Sequence, residues 1–198
     1  MKLFSEIKRA GGWRYRLRED ISDPAALFKA VEEPEATAKT VLAKGPRRHV
    51  YQPNQVVNGR KVVVKTFILP SWRLRLRHKH YGRLEYENYL KADKCGIEVP
   101  EVFAFFEQRK GGIVQQNGIA IEFLEKFRRL QAEQISVLAP VLHQMFLQGV
   151  NHTDLALGNI FKHEADDRIK IIDWQGWEFI QPRNERQLLF QLHRLIRG

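Results

Sequence analysis

Three polar residues of this chain, Asp154, Asn159 and Asp173, have the types and the spacing that phosphoryl transfer requires. His152, Asp154 and Asn159 form the pattern H-x-D-x-x-x-x-N, and Asp173 directly follows the apolar run 169–172. In phosphoryl transfer one carboxylate orients the acceptor hydroxyl and takes its proton, while an amide oxygen and a second carboxylate hold Mg²⁺ against the nucleotide phosphates. We therefore predict Asp154 as the catalytic residue, with Asn159 and Asp173 as metal ligands.

Each of these residues also has an ordinary interpretation when it is taken alone. Asp and Asn are frequent in turns and helix caps, and a single histidine more often completes a core than takes part in chemistry. The combination with Lys65, which lies upstream on an apolar strand, favours the functional interpretation. We interpret His152 as a structural brace of its loop and not as a catalytic group.

The segments that position these residues alternate in pattern. Residues 13–18 alternate apolar and basic side chains, which predicts a half-exposed strand. Residues 47–52 and 60–68 read as two strands joined through Asn58-Gly59, a strong hairpin signal. The second of these strands is rich in β-branched residues and carries Lys65.

The rest of the chain continues as helix, strands, helix and a polar loop. We predict a helix over residues 80–94 that stops at Gly96, because glycine favours helix C-termini. The further predicted elements are a strand near 101–107, turns at 110–112 and 117–118, a helix over 131–149 that Pro140 kinks, strands at 159–162 and 169–172, and a helix over 184–197.

This order predicts an α+β fold. The first part is a mostly antiparallel sheet with one inserted helix, and the second is a short, mainly helical lobe. A boundary near residues 124–127 divides the chain into a first lobe, 1–124, and a second lobe, 125–198. With 198 residues and 43% apolar composition, the chain is large enough to bury a substantial core.

The chain resembles the protein-kinase-like superfamily, in which a helix ends just before the catalytic loop. The matching string is Leu142-His143-x5-Gly149-Val150-x-His152-x-Asp154-Leu155. More narrowly, it resembles the lipopolysaccharide kinases that phosphorylate Kdo or heptose of the inner core. That likeness rests on His152-Thr153-Asp154-Leu155 and, upstream, on Lys65 followed by basic residues, then Glu85-Tyr86-Glu87, then Gly96-Ile97-x-Val99-Pro100-Glu101. The resemblance covers roughly residues 45–178.

The resemblance implies a two-lobed kinase fold that binds ATP and Mg²⁺ between the sheet carrying Lys65 and the loop carrying Asp154. It matches Lys65 with the lysine that contacts the α- and β-phosphates, and Glu85 with the glutamate that holds this lysine. Glu87 is the second choice, because it lies two residues further on and points to another helix face. The implied function is an ATP-dependent phosphotransferase that acts on a sugar hydroxyl of the lipopolysaccharide inner core.

The chain departs from the superfamily pattern at two places, one that concerns nucleotide binding and one that concerns regulation. A full G-x-G-x-x-G is absent, and Gly45 is the one glycine of this region expected over the phosphates. Thr153 stands where regulated protein kinases have an arginine that pairs with a phosphorylated activation loop, so we expect no control of that kind.

The net charge of +10 is large for this length and indicates anionic partners. The densest basic patch, residues 72–83, is called the basic segment below. It is interpreted either as a solvated surface or as a docking site for an anionic glycolipid or sugar acceptor, or for an anionic membrane surface. Without a recognition motif, charge alone gives only nonspecific binding, so we expect no specific nucleic-acid partner.

No targeting or spanning segment is expected. Residues 1–4 are followed by charged residues and not by an apolar core, and no run approaches the roughly 20 apolar residues of a membrane span. We therefore expect a cytoplasmic protein, or one peripheral to the inner face of the cytoplasmic membrane.

Alternative functions remain open at this point. The same core serves small-molecule kinases and atypical protein kinases, against which the short second lobe and the segment around Glu85 argue mildly. From a different class, the chain is a pseudokinase or binding module whose reduced glycine loop no longer allows turnover.

Overall fold

A computed structural model describes residues 4–76, 81–175 and 177–179. The helix expected over 184–197 lies outside these residues. The chain divides into two compact units, each of which is described by itself. The first consists of Met1–Tyr86 and Glu101–Phe123, and the second of Glu87–Pro100 and Leu124–Gly198.

Within the described residues, the first unit is built on one eight-stranded antiparallel sheet, in the order β1-β2-β7-β8-β6-β4-β3, with β5 pairing beside β6. Its strands are β1 (Phe4–Lys8), β2 (Trp13–Arg18), β3 (Ala38–Lys44), β4 (Arg48–Pro53), β5 (Val56–Val57), β6 (Arg60–Ile68), β7 (Val102–Lys110) and β8 (Ile113–Glu122). Its helices are α1 (Pro24–Glu32), α2 (Pro34–Thr37), α3 (Trp72–Leu76) and the first residues of α4 (Tyr81–Lys94).

The predicted hairpin around Asn58-Gly59 is confirmed. The two residues have φ of 49° and 73°, and Val57 pairs with Arg60 across the turn. Positive φ at both central positions is the requirement of a two-residue turn that matches the strand twist. The hairpin leads into β6, which carries Lys65 and lies between β4 and β8 in the sheet interior.

Aromatic side chains cover the two faces of the sheet in alternation. Phe106 packs with Trp13 and Tyr15 on the face that α1 covers, where Tyr15 also contacts Phe28. Phe105, the preceding residue, faces the other side and meets Tyr86 at 5.8 Å between ring centroids. Because successive strand residues point to opposite faces, β7 is buried on both sides and anchors α1 and the start of α4.

The helix predicted over 80–94 is confirmed as α4, and it ends as expected at Gly96. Gly96 has φ of 72°, and Ile97 N–H donates to Ala92 O at 3.1 Å. This is the left-handed C-terminal motif that glycine favours.

The predicted turn at Asn117-Gly118 is wrong, because both residues lie inside β8. Gly118 is needed there for close approach. A Cβ at this position would lie 2.2 Å from Lys65 O and 2.5 Å from the Phe106 ring. A Cβ on Gly82 of α4 would in turn lie 2.7 Å from the Gly118 Cα. The glycines let the helix and the Lys65 strand approach β8 closely.

The second unit contains the remaining residues of α4, followed by short strands and helical turns. The helix expected over 131–149 is only partly formed. Residues Ala132–Leu138 form a 3₁₀ helix, and α5 spans Ala139–Leu147. Pro140 lies in the first turn of α5, where its missing N–H costs nothing.

The strands predicted at 159–162 and 169–172 are confirmed with shifted ends. Within the described residues the second unit has a three-stranded sheet in the order β12-β11-β9 and a two-stranded sheet β10-β13. The strands are β9 (Phe127–Arg129), β10 (Val150–His152), β11 (Ile160–His163), β12 (Ile169–Ile171) and β13 (Trp177–Phe179). No helix in the described ranges is long and apolar enough to cross a membrane.

Candidate active site

Lys65 and Glu85 form a buried ion pair in the first unit. Lys65 Nζ lies 2.9 Å from Glu85 Oε1, and the two residues are 7% and 0% exposed. Removing both charges from water is costly, and their mutual attraction only partly offsets this, so such a pair adds little to stability. Its presence is better explained by a need to hold an ammonium group in one place. Glu85, the first choice from the resemblance, makes this contact.

The first turn of α4 is held against β8 by Asn117. Its Oδ1 accepts a hydrogen bond from Gly82 N–H at 2.7 Å, and its side chain is fully buried. Since Gly82 precedes Glu85 by less than one helical turn, this contact places the carboxylate on the side of Lys65. Asn117 is thus a positioning residue that sequence reasoning missed, because the pair Asn-Gly was interpreted as a turn.

In the second unit, the loop from His152 to Asn159 folds back on itself through Asn159. The side-chain Nδ2 donates to Asp154 O at 2.9 Å and to Asp154 Oδ2 at 3.2 Å. The amide nitrogen is thereby used within the loop, and the Oδ1 atom of Asn159 is the group available to a cation. Asp154 is exposed, so its carboxylate is open to a ligand.

His152 acts as a brace between this loop and the segment that carries Asp173. Its Nδ1 accepts a hydrogen bond from Asp154 N–H at 3.2 Å, and its Nε2 lies 3.0 Å from Ile172 O. The first contact requires an unprotonated Nδ1, so Nε2 carries the proton and donates to Ile172 O. Burial lowers the pKa of His152 below its usual 6.5, with hydrogen bonding to Ile172 O and nearby Asp173 and Asp154 opposing the shift.

Asp173 lies at a backbone position that few residues adopt. Its φ is 65°, in the left-handed region that costs a residue other than glycine roughly 1 kcal/mol or more. Its N–H donates to Tyr89 OH at 3.1 Å, and Gln175 Nε2 donates to its Oδ1 at 2.8 Å. Backbone strain that neighbouring contacts maintain is typical of functional sites.

Ile172 joins the two halves of the site by its backbone. Its N–H donates to Asn159 O at 2.9 Å, and its carbonyl accepts from His152. Asn159 and Asp173 therefore flank adjoining ends of the paired strands β11 and β12. The structure brings the predicted residues of the second unit together through this one residue.

Trp174 anchors the strained segment, and sequence reasoning missed its contacts. The indole is fully buried, packs edge-on against His152, and donates from Nε1 to Ile171 O at 2.9 Å. Its own carbonyl accepts from Asn88 Nδ2 at 2.7 Å. Asn88 and Tyr89 lie on the buried stripe of α4, where a polar Asn among apolar residues was the signal available in the sequence.

Gly45 lies in the turn between β3 and β4, where its N–H donates to Arg48 O at 2.9 Å. A Cβ at this position would meet only Arg48 O, at an ordinary 3.7 Å. Nothing in the local backbone therefore requires glycine here, and a role over phosphates stays a prediction.

The basic segment begins with α3. Trp72 is 64% exposed, and the Arg73 guanidinium lies 5.6 Å from its ring centroid. Arg75 Nε donates to Leu69 O at 2.7 Å, so this arginine supports the local backbone. Residues 77–80 of the segment, including Arg77, lie outside the described part of the chain.

The available donors fit Mg²⁺ in chemical type. Carboxylate and amide oxygens are hard ligands, and Mg²⁺ typically takes one or two protein oxygens and completes its shell with phosphates and water. Among the described residues there is no cluster of three or more His, Cys, Asp or Glu that could hold a metal by itself. A site formed by Asn159 and Asp173 together with nucleotide phosphates agrees with the small number of protein ligands that Mg²⁺ takes and with the absence of such a cluster among the described residues.

Comparison with solved structures identifies the architecture. In all, 722 solved chains match this structure. One of them is WaaP in complex with acyl carrier protein, which has a TM-score of 0.62 and 18% sequence identity and covers 92% of this chain and 79% of that chain. The fold is protein-kinase-like. The predicted fold class is thus confirmed, while no family model and no curated protein matches the chain.

The contacts of His152 predict how stability depends on pH. Because its folded-state pKa is lowered, the unfolded chain binds the proton more readily, and stability is lost as the pH falls below about 6.5. His152→Gln keeps an N–H donor near the position of Nε2 for Ile172 O and takes up no proton in this pH range, so it should remove the contribution of His152 to this dependence. We expect the loss of unfolding free energy between about pH 7.5 and 5 to be smaller in the variant, by at most about 1.4 kcal/mol per pH unit.

The matched control for this experiment is His143→Gln, which changes an exposed histidine of α5. Urea unfolding followed by circular dichroism measures all three proteins. An unchanged pH dependence in His152→Gln would show that the imidazole is not held neutral by its surroundings.

Proposed function

We propose that the protein is an ATP-dependent phosphotransferase with an alcohol group as acceptor. The observation that carries this proposal is the buried Lys65–Glu85 pair, at 2.9 Å, in a chain with a protein-kinase-like fold. A buried ion pair of this kind is hard to explain by stability, whereas holding a lysine for nucleotide phosphates explains it. In this role Lys65 binds the α- and β-phosphates and Glu85 keeps the ammonium group in place.

The second unit supplies the groups for the transfer step. The Asp154 carboxylate, exposed and held at Oδ2 by Asn159, orients the acceptor hydroxyl and takes its proton. Asn159 Oδ1 and the Asp173 carboxylate are the proposed ligands of Mg²⁺. When bound, the ion neutralises phosphate charge. Since phosphoryl transfer needs little covalent help from the protein, positioning and charge neutralisation account for the catalysis.

For the acceptor we propose a sugar hydroxyl of the lipopolysaccharide inner core, Kdo or heptose. The support is the likeness of residues 65–101 to the lipopolysaccharide kinases, together with the net charge of +10, which suits a phosphorylated or otherwise anionic acceptor. The enzyme would act at the cytoplasmic face of the membrane, with the exposed Trp72 and Arg73 of α3 in contact with an anionic surface.

The acceptor is tested by incubating the protein with radiolabelled ATP and Mg²⁺. The panel consists of inner-core lipopolysaccharide, small polyols and a set of proteins. Label on lipopolysaccharide is the expected result. Label on protein or polyol alone would contradict the acceptor and leave the phosphotransferase proposal intact.

ATP and metal binding are tested separately from transfer. Mg²⁺ with ATP at about 100 times Kd should raise the Tm of the wild-type protein by roughly 5–10 °C. Asp173→Asn should lose most of this shift, because the amide removes the negative charge on the metal. Asparagine is chosen because it tolerates the left-handed backbone of this position.

Asp167→Asn is the control, since Asp167 is an exposed carboxylate of the same unit. It should keep the full shift. A wild-type protein whose Tm does not respond to ATP and Mg²⁺ would favour the non-catalytic binding module instead.

A further inference from the structure

A cationic groove crosses the sheet of the first unit, and none of the six candidate site residues lines it. It has a volume of about 210 Å³ and lies along β1, β2 and β7 beside the start of α4. Its cationic lining residues are Lys8, Arg14, Arg16, Arg83 and Arg109, and its acidic ones are Glu6 and Glu107. The lining therefore carries five positive and two negative charges.

Both carboxylates of the groove are already paired with arginine. Glu6 Oε1 lies 3.2 Å from Arg16 Nε, and Glu107 Oε1 lies 2.6 Å from Arg109 Nε. Lys8 and Arg14 contact no carboxylate among the described residues. The groove thus has an excess of positive charge at the end where Lys8 and Arg14 lie.

Lys8 and Arg14 are placed directly opposite each other on paired strands. They form a register pair of β1 and β2, and both are exposed. Like charges directly across a strand pair destabilise a sheet. Arg14 also lies in register with Glu107 of β7, whose Oε1 is held by Arg109. The sheet therefore offsets the repulsion between Lys8 and Arg14 only in part, and an anion that both side chains bind explains why the two cations lie together.

The remaining walls indicate which anion is suitable. Phe105 lines the groove and is buried against Tyr86, so one wall is apolar. Apolar surroundings strengthen charge-assisted hydrogen bonds to a ligand. Arginine presents a planar fork of donors that matches phosphate oxygens.

We propose that this groove is a binding site for a phosphate-bearing ligand, held chiefly by Lys8, Arg14 and Arg83. The inference does not depend on the proposed function. Arg83 lies on α4 two residues before Glu85. A phosphate shared by Arg14 and Arg83 therefore ties the first turns of α4 to β2.

Binding is measured on the full chain by calorimetry, without nucleotide and without Mg²⁺. One arm uses inorganic pyrophosphate, and the other uses phosphatidylcholine vesicles with and without phosphatidylglycerol. The groove variant is Lys8→Gln/Arg14→Gln. The control is Lys29→Gln/Lys126→Gln, which removes the same charge from exposed positions outside the groove.

We expect pyrophosphate to bind the wild type and the control equally, and the groove variant about tenfold more weakly or worse. Arg83→Gln should weaken binding as well, and pyrophosphate should slow amide hydrogen exchange over residues 81–86 of the wild type. Vesicle binding that needs phosphatidylglycerol, Lys8 and Arg14 would support the site with a lipid headgroup as the ligand.

If the groove variant and the control bind equally in both arms, the proposal is overturned. Such a result would mean that the net charge of the protein, and not the groove, attracts the anion. No binding to either probe would overturn it as well. Since no arm measures phosphoryl transfer, a catalytically inactive chain can still pass this test, and an active kinase can fail it.

Discussion

Replacement of Asp154 by asparagine is expected to lower phosphoryl transfer about 10³-fold. Asparagine keeps the shape of the side chain and an oxygen for Asn159 Nδ2, which now donates to Asp154 Oδ2 at 3.2 Å. It cannot take a proton from the acceptor hydroxyl. Because Asp154 is not among the proposed ligands of the nucleotide or the metal, the Tm shift with ATP and Mg²⁺ should remain at its wild-type size.

The measurement compares initial rates of label transfer with the two thermal shifts. Asp166→Asn, at an exposed carboxylate that pairs with Arg168, should transfer at the wild-type rate. A rate for Asp154→Asn within a few-fold of wild type would remove Asp154 from the catalytic role. Loss of both ATP binding and transfer would assign it instead to the binding of the nucleotide.

The second large effect concerns stability. Lys65→Met leaves Glu85 as an uncompensated charge at a position with 0% exposure, and we expect a loss of about 3–5 kcal/mol in unfolding free energy. The double variant Lys65→Met/Glu85→Leu removes both charges and should recover most of this loss. Both variants should be inactive, because neither can hold the nucleotide phosphates.

A double-mutant cycle on an exposed pair provides the comparison. Arg128 Nη2 lies 2.7 Å from Glu164 Oε1, with side chains 72% and 45% exposed, so its coupling should stay below about 1 kcal/mol. If the cycle at Lys65 and Glu85 gives a coupling equally small, the pair is not buried in solution, and the observation that carries the proposed function is lost. A double variant that keeps activity would contradict the role of Lys65 directly.

The same dipeptide, Asn-Gly, occurs twice and shows where local inference succeeds and fails. At 58–59 it forms the predicted hairpin turn, since both residues adopt positive φ and the flanking strands pair at once. At 117–118 it lies within β8. At Gly118 there is no room for a side chain, because α4 and β6, the strand that carries Lys65, approach its backbone closely. That demand comes from segments distant in sequence.

The helix expected over 131–149 also differs between the sequence prediction and the structure. The apolar pattern is helical throughout, yet α5 begins only at Ala139, next to the proline that local rules allow in a first turn. The preceding seven residues take the tighter 3₁₀ form. Periodicity identifies the face that is buried, whereas the choice between related helical forms depends on the packing around each turn.

By itself the sequence determined the spacing of His152, Asp154, Asn159 and Asp173, and with it the candidate chemistry and the fold class. Spacing, alternation and turn residues are local properties, so they can be read from the chain. The roles of these residues stay predictions. Tertiary structure alone decided that Tyr89 and Asn88 of α4 hold the strained Asp173–Trp174 segment, and that Ile172 joins it to the loop. Such contacts join residues more than ten positions apart, and their partners follow from packing, which no local pattern records.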